Sequence, residues 1–495
     1  MAVSIAFPGG MHKRACRAFH DRTFAAQKVS RVILLAALAL GCVNFSSAIG
    51  QDTPPAKVGE LIRSGLGLPS GQVKPGRNRR VKVRNHVGAL VTGLIHCEVG
   101  DSYVIMMPDG KLASVESRYT NPTNEAFAPG NRASMTAELK RTLGKEFQAT
   151  ETKNHLFMYN CSEAFQKKSA EILDAVHDGV FKHFKELGFT VFEPRVPLVV
   201  IIFRTEAEFA KFGEVAEGVK GYYSILSNYI VFYEESEVES VGISTIHDVL
   251  VTVAHEGVHQ TLANIGVQPR LSIWPAWVTE GMAEFYSPTT DETPIRWKGT
   301  GEVNDIRMVS LEHVIKRPDR SKGALTRQLV LSHRLDGMGY ASSWGLVHFL
   351  NKVRPASFLE YVRALSLREP LLDPVTSSGR GSRHEAELEL FNHYFGRDFA
   401  DIEVGMFQHL RKLPFKNPLA NLTHFVAIME FRVGEKVRRI AIMSDSEDSI
   451  TRWRDETWAK LSADQRSTGK HYIKMVPNRA EAEKYANRWL KFIGI

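Results

Sequence analysis

His255-Glu256-Gly257-Val258-His259 is the stretch whose reading decides the fold. Two histidines four apart on a helix leave the same face, about 40° from each other, so both imidazoles can reach a single ion. Zinc takes such nitrogens at about 2.0–2.1 Å, and a catalytic zinc site uses three protein ligands with the fourth position left to water. Glu256, beside the first histidine, is placed to accept a proton from water in such a site. Further on, Trp277-Val278-Thr279-Glu280-Gly281-Met282-Ala283-Glu284-Phe285-Tyr286 offers Glu280 as a third ligand from a second helix. A helical histidine pair can also be a capped core pair, so the surroundings matter. Thr245 and Asp248 have the spacing of a capping box that opens a helix, and Val249, Leu250, Val253, Val258 and Leu262 give it an apolar stripe. Gly257 inside that helix costs roughly 1 kcal/mol relative to alanine, which predicts close approach by another backbone.

The run from His255 to Gln260, with Asn264 beyond, resembles the motif helix of gluzincin zinc metallopeptidases of the aminopeptidase-N and thermolysin type. The Trp277-x-x-Glu280-Gly281-x-Ala283-Glu284-Phe285 pattern is similar to their third-ligand helix. The resemblance implies one zinc ion per chain, held by His255, His259 and Glu280, with Glu256 as general base. Glu284 and Asn264 would stand behind the ligands and orient them. The loop between His259 and Glu280, with Pro269 and Pro275, is slightly longer than is usual there. Tyr340-Ala341-Ser342-Ser343-Trp344 resembles the start of the helix that carries a catalytic tyrosine in those enzymes. It implies a phenol that stabilises a developing oxyanion; the other reading of Tyr340 is the first turn of an amphipathic helix with Trp344, Val347 and Leu350 as core. His348 is expected to be a packed or capping histidine.

Roughly residues 80 to 365 resemble a bacterial family catalogued as domain of unknown function 1570, through Asn154–Tyr159, Leu198–Arg204, Gly221–Ser224 and the two motif blocks. That resemblance implies an α+β, thermolysin-like zincin domain and a protease, and supplies no substrate. Gly221–Ser224 lacks the acidic residue of the amine-binding motif of the aminopeptidases, which favours an endopeptidase over an exopeptidase.

Composition narrows the partners. The chain of 495 residues is 43% hydrophobic and 24% charged, ordinary for a globular protein. Its net charge of +8 is mostly local. Residues 1–48 carry Lys13, Arg14, Arg17, Arg22, Lys28 and Arg31 against Asp21, so +5 sits there and +3 remains. A nucleic-acid role loses its compositional support. The basic stretch precedes the apolar run Val32–Val43 and small residues at Ser46-Ser47-Ala48, the pattern of a signal peptide, and no later run is long enough for a membrane helix. Export to the periplasm, cell envelope or medium is expected, with lipidation at Cys42 only weakly encoded. Cys97 and Cys161 remain in the mature chain and either bridge or stay as buried thiols.

The expected organisation is a signal peptide over 1–48, a flexible basic linker over 49–80 and a small SH3-like β-barrel module over 81–130. An α/β roof follows over 131–240, then a zinc-binding helical catalytic subdomain over 241–365 and a mainly helical C-terminal region over 366–495. Residues 74–84 form an acid-free basic run, either a solvated linker and edge strand or a contact with an anionic cell-envelope surface. Ser227–Tyr233 is a candidate for the edge strand that holds peptide beside the cleft, or else a wholly internal strand, since its apolar residues are consecutive.

Three functions fit these residues: hydrolysis of peptide or protein substrates, a silent zincin-fold protein that holds a partner through its linker and β module, and hydrolysis of a non-peptide amide or ester. Metal binding does not need Glu256, and its presence favours a hydrolase. The absence of a Gly-x-Ser-x-Gly elbow argues against a serine hydrolase.

Overall fold

In the segment Arg80–Arg84, Val81 and Val83 are buried while Arg84 is exposed, the period of two that a half-buried strand requires. The computed structural model describes residues 63–491, except 64, 70, 214, 216–218, 235–244, 291–293, 317–321 and 380–381 and the side chains of 245–248 and 313. The expected signal peptide, Cys42, most of the expected linker and the side chains of the Thr245–Asp248 capping box lie outside the described residues. Those residues form a mixed α+β protein with fourteen helices and three sheets. No described helix is long and apolar enough to cross a membrane.

The first sheet is antiparallel throughout and contains β1 (Val73–Pro75), β2 (Arg80–Arg84), β3 (Leu90–Val99), β4 (Ser102–Met106), β5 (Leu112–Glu116) and β6 (Asn121–Pro122). Its order is β5-β4-β3-β2-β6, with β1 also on β3. The end of the expected linker is therefore strand, because Val73 buries itself against Val99 and Cys97. The basic run finds its acids across the sheet: Lys74 and Arg79 reach Glu98 at 3.2 and 2.8 Å, and Lys82 pairs with Glu125.

The second sheet follows α1 (Arg132–Leu143) and consists of β7 (Gln148–Glu151), β8 (His155–Tyr159), β9 (Leu198–Phe203), β10 (Gly221–Ser224) and β11 (Tyr229–Tyr233). Its order is β10-β11-β9-β8-β7, with β8, β9 and β11 parallel and both outer strands antiparallel. α2 (Glu163–Glu186) connects β8 to β9 and α3 (Glu206–Gly213) follows β9. Alternate residues of the central strands enter two cores. Phe157, Val200, Ile202 and Ile230 face the core shared with the helix that carries His255 and His259, and Leu156, Val199, Ile201 and Val231 face the core shared with α1 and α3. This burial on both faces explains the unbroken Leu198–Phe203 run. It also decides between the alternatives for Ser227–Tyr233: the strand is internal, and the edge is the shorter Gly221–Ser224.

The first core continues through α4 (Thr245–Asn264), α5 (Ala276–Tyr286), α6 (Asp305–Ile315), α7 (Ala324–Leu331), α8 (Gly337–Val353), α9 (Pro355–Ser366), α10 (Arg383–Phe395) and α11 (Phe399–Leu410). The mainly helical reading of the C-terminal region holds only to Leu410. Beyond it β12 (His424–Val433), β13 (Lys436–Ser444), α12 (Glu447–Ala459), α13 (Ala463–Ser467), β14 (Lys470–Val476) and α14 (Arg479–Lys491) form a three-stranded antiparallel sheet, β13-β12-β14. The reason lies in Phe425–Met429, whose residues feed two faces in turn. Val426 and Ile428 meet Trp489 and Tyr485 of α14, and Phe425 and Ala427 meet Ile450 and Trp453 of α12. Cys97 and Cys161 are free buried thiols in separate cores and do not form a bridge; burial pushes the pKa of each up to about 12.

Candidate metal centre

α4 and α5 bring the three predicted ligands together. His255 Nε2 lies 3.1 Å from His259 Nε2 and 3.2 Å from Glu280 Oε2, and His259 Nε2 lies 3.4 Å from the same oxygen. A tetrahedral ion bound at about 2.0–2.1 Å requires neighbouring ligand atoms about 3.3 Å apart, so the donor set has the span of a metal site without rearrangement. Glu280 is 1% exposed and its Oε1 has no hydrogen-bond partner, a buried oxygen that a cation would satisfy. The triad can hold a metal ion.

Electrostatics separate the three carboxylates around it. Burial disfavours ionisation of Glu280, but His259 and His255 outweigh it and hold the carboxyl below its usual range. Burial likewise opposes Glu284, yet Arg307 and His255 hold it well below the usual carboxylate range. For Glu256 burial wins over the two histidines and raises its pKa, the direction a proton acceptor for near-neutral chemistry needs. Its Oε2 accepts the Tyr223 backbone N–H at 2.7 Å, which fastens this side chain to the edge strand β10.

Glu284 stands on the far side of the His255 ring from the triad: its Oε1 lies 3.2 Å from His255 Nδ1. Arg307 donates to that oxygen at 2.6 Å and Asn304 donates to Oε2 at 2.9 Å. An imidazole whose far nitrogen is held by a carboxylate has a fixed tautomer and stronger basicity toward metal. Tyr340 also reaches the site, its ring 6.2 Å from that of His255 at 52°, with the Arg307 guanidinium 5.4 Å above the phenol ring. Asn264 does not touch a ligand. It exchanges amide bonds with Asn228 at 2.8 and 2.9 Å, and Asn228 Oδ1 accepts the Tyr223 hydroxyl at 2.8 Å. Gln260 donates to the carbonyls of Asn228 and Val199 at 2.8 and 3.2 Å. Both amides therefore pin the β10–β11 turn to α4, so Asn264 supports the strand that holds Glu256 rather than the metal triad. His348 is a packed histidine, buried with its Nδ1 2.8 Å from His409 Nε2. Gly257 faces the Leu173 side chain of α2, not the backbone expected from its place in the helix.

Residues 249–372 match the model of the family described as Protein of unknown function (DUF1570). The match supports that family. The matched segment contains all three candidate ligands, Glu256, Glu284, Arg307 and Tyr340. No curated protein matches the chain.

Arg307 and Asn304 were not singled out from the sequence, though Asn304 has a visible cap signal: its Oδ1 accepts the Arg307 N–H at 3.2 Å and starts α6. Arg307→Met leaves every ligand in place but frees Glu284 to turn away from His255. The expected outcome is zinc affinity reduced about 10–100-fold, read by competition against a calibrated chelator; unchanged affinity would remove Arg307 from this role.

Proposed function

We propose that the chain is an exported zinc-dependent metallopeptidase that uses Glu256 as general base, with endopeptidase action favoured. The observation carrying this reading is the buried His255–His259–Glu280 triad at tetrahedral spacing, with Glu256 tied to the edge strand beside it. When bound, zinc would lower the pKa of water toward about 7 and polarise the scissile carbonyl. The chain's own residues do the rest. Glu256 accepts the proton of the attacking water and passes it to the leaving amine. Tyr340, beside His255, supplies the hydrogen bond to the developing oxyanion. An extended peptide lies along β10, whose outer side pairs with no strand among the described residues.

The test uses the purified mature chain. About one zinc per chain by elemental mass spectrometry is expected, together with cleavage of a peptide library. Chelation should remove both, and added zinc should restore both. No zinc after reconstitution would end the metallopeptidase reading, whereas zinc without peptide cleavage but with ester or amide turnover would redirect it to a non-peptide substrate.

A further inference from the structure

Resting on the hydrolase reading above, we infer that the subsite next to Glu256 and His259 selects a substrate carboxylate, recognised by Arg270. A cleft of about 430 Å³, its open mouth included, is lined by Tyr223, Glu256, His259, Arg270, Ser272 and Thr279. It borders the base and one metal ligand directly, so whatever occupies it lies next to the bond being cut.

Arg270 is 6% exposed. Its Nε donates to Ile225 O at 2.8 Å, Nη1 to Gly110 O at 2.7 Å, and Nη2 to Leu226 O at 2.9 Å and to Ile225 O. These acceptors are all neutral carbonyls, and four bonds leave one of the five guanidinium N–H groups over. No carboxylate lies within ion-pair distance of it among the described residues. Asp109, the acid whose charge reaches it, is paired with Lys111 at 3.2 Å. A buried cation without a counter-ion is costly, and in a low-dielectric wall its attraction for an incoming anion is least screened.

The frame around Arg270 is rigid. His96 Nε2 donates to the Arg270 carbonyl at 2.5 Å, and burial holds that imidazole neutral by lowering its pKa to about 4. Leu112 N–H donates to Leu226 O at 2.8 Å, and Leu226, Leu271 and Leu112 share a core with the first sheet. The first sheet thus helps to fix the guanidinium, through the Gly110 carbonyl of its β4–β5 turn and His96 of β3. Nearby Ile225, Ala263 and Pro269 add apolar surface for the methylene groups of an acidic side chain. β10 brings no acidic side chain to this edge, so among the described residues Arg270 is the one cation facing the substrate there and Glu256, held on the Tyr223 N–H, is the one carboxylate of the lining.

The test compares charge at constant shape. The zinc-loaded full chain is profiled on a proteome-derived peptide library, and its best substrate is resynthesised with the acidic residue changed to its amide. Asp or Glu is expected to be enriched at one position flanking the cut, with kcat/KM at least tenfold lower for the amide peptide. Arg270→Met, checked for zinc content and melting temperature, should reduce that ratio to near one; if this variant does not fold, the wild-type ratio decides alone. Cleavage without acidic preference, or equal rates for acid and amide, overturns the proposal while leaving the peptidase reading standing. If no peptide is cut, that reading fails, and the subsite is judged by calorimetry with acetyl-Ala-Ala-Glu-Ala-Ala-amide against its glutamine counterpart. Tenfold tighter binding of the acid supports the carboxylate site; equal binding, or none, overturns it.

Discussion

Glu256→Gln retains its metal and loses about 10²–10⁴-fold in kcat, the usual contribution of a positioned general base. The substitution is nearly isosteric, and the remaining carbonyl oxygen can still accept the Tyr223 N–H that Glu256 accepts at 2.7 Å, so β10 keeps its place. The three ligands do not include this residue, and zinc content should stay near one per chain by elemental mass spectrometry. What disappears is the carboxylate proposed to receive the water proton. Burial raises the Glu256 pKa despite the two histidines, which lifts its basicity without moving it. The pairing of the two readouts is the point. Lost activity with retained zinc assigns proton transfer to Glu256, lost zinc would make it a structural partner of the triad, and retained activity would eliminate it as the base.

The parts of this site legible in the sequence are those carried by side chains at fixed helical offsets. His255, Glu256 and His259 project from one face of α4 by periodicity alone, and Glu280 and Glu284 are likewise four apart on α5. Their convergence into one triad was readable only through the resemblance, because nothing in α4 states where α5 will cross it. The partner of Glu256 could not be read at all, since a backbone N–H carries no residue signature and Tyr223 stood out only within the Gly221–Ser224 block of the family resemblance. Arg307 was obscured for a different reason: a loop separates it from α5, and only three-dimensional packing places its guanidinium on Glu284. Arg270 lies in the loop between Pro269 and Pro275, where nothing in the local pattern marks a cation as buried. In the C-terminal region the strand signal was present in Phe425–Met429, but the helices around it, α11, α12 and α14, dominate the local pattern.

Gly281→Ala is expected to destabilise the chain by about 2 kcal/mol and to weaken zinc binding at least tenfold, although the same exchange in an open helix stabilises by about 1 kcal/mol. A Cβ at Gly281 would stand 2.6 Å from Ser343 O, 2.9 Å from Ser343 C and 2.6 Å from Val347 Cγ2. Two of those atoms belong to the backbone of α8 and cannot rotate away, so the helices themselves must separate. Glu280 is the residue before Gly281, and Tyr340 lies on the opposing helix, so one displacement disturbs a ligand and the residue beside His255. Gly257→Ala is the internal comparison. Its new Cβ would stand 2.6 Å from Leu173 Cδ2, the far end of a flexible side chain, which can change rotamer at a cost the gained helix propensity partly offsets. Calorimetric melting and zinc titration of both variants should therefore separate them clearly. Similar melting points would mean that α5 and α8 can part as easily as a leucine can turn, and that the close crossing is not what fixes Glu280. Under that result the glycine beside the third ligand would need another explanation; under the expected one, the Glu280-Gly281 pair couples ligand position to helix packing in two adjacent residues.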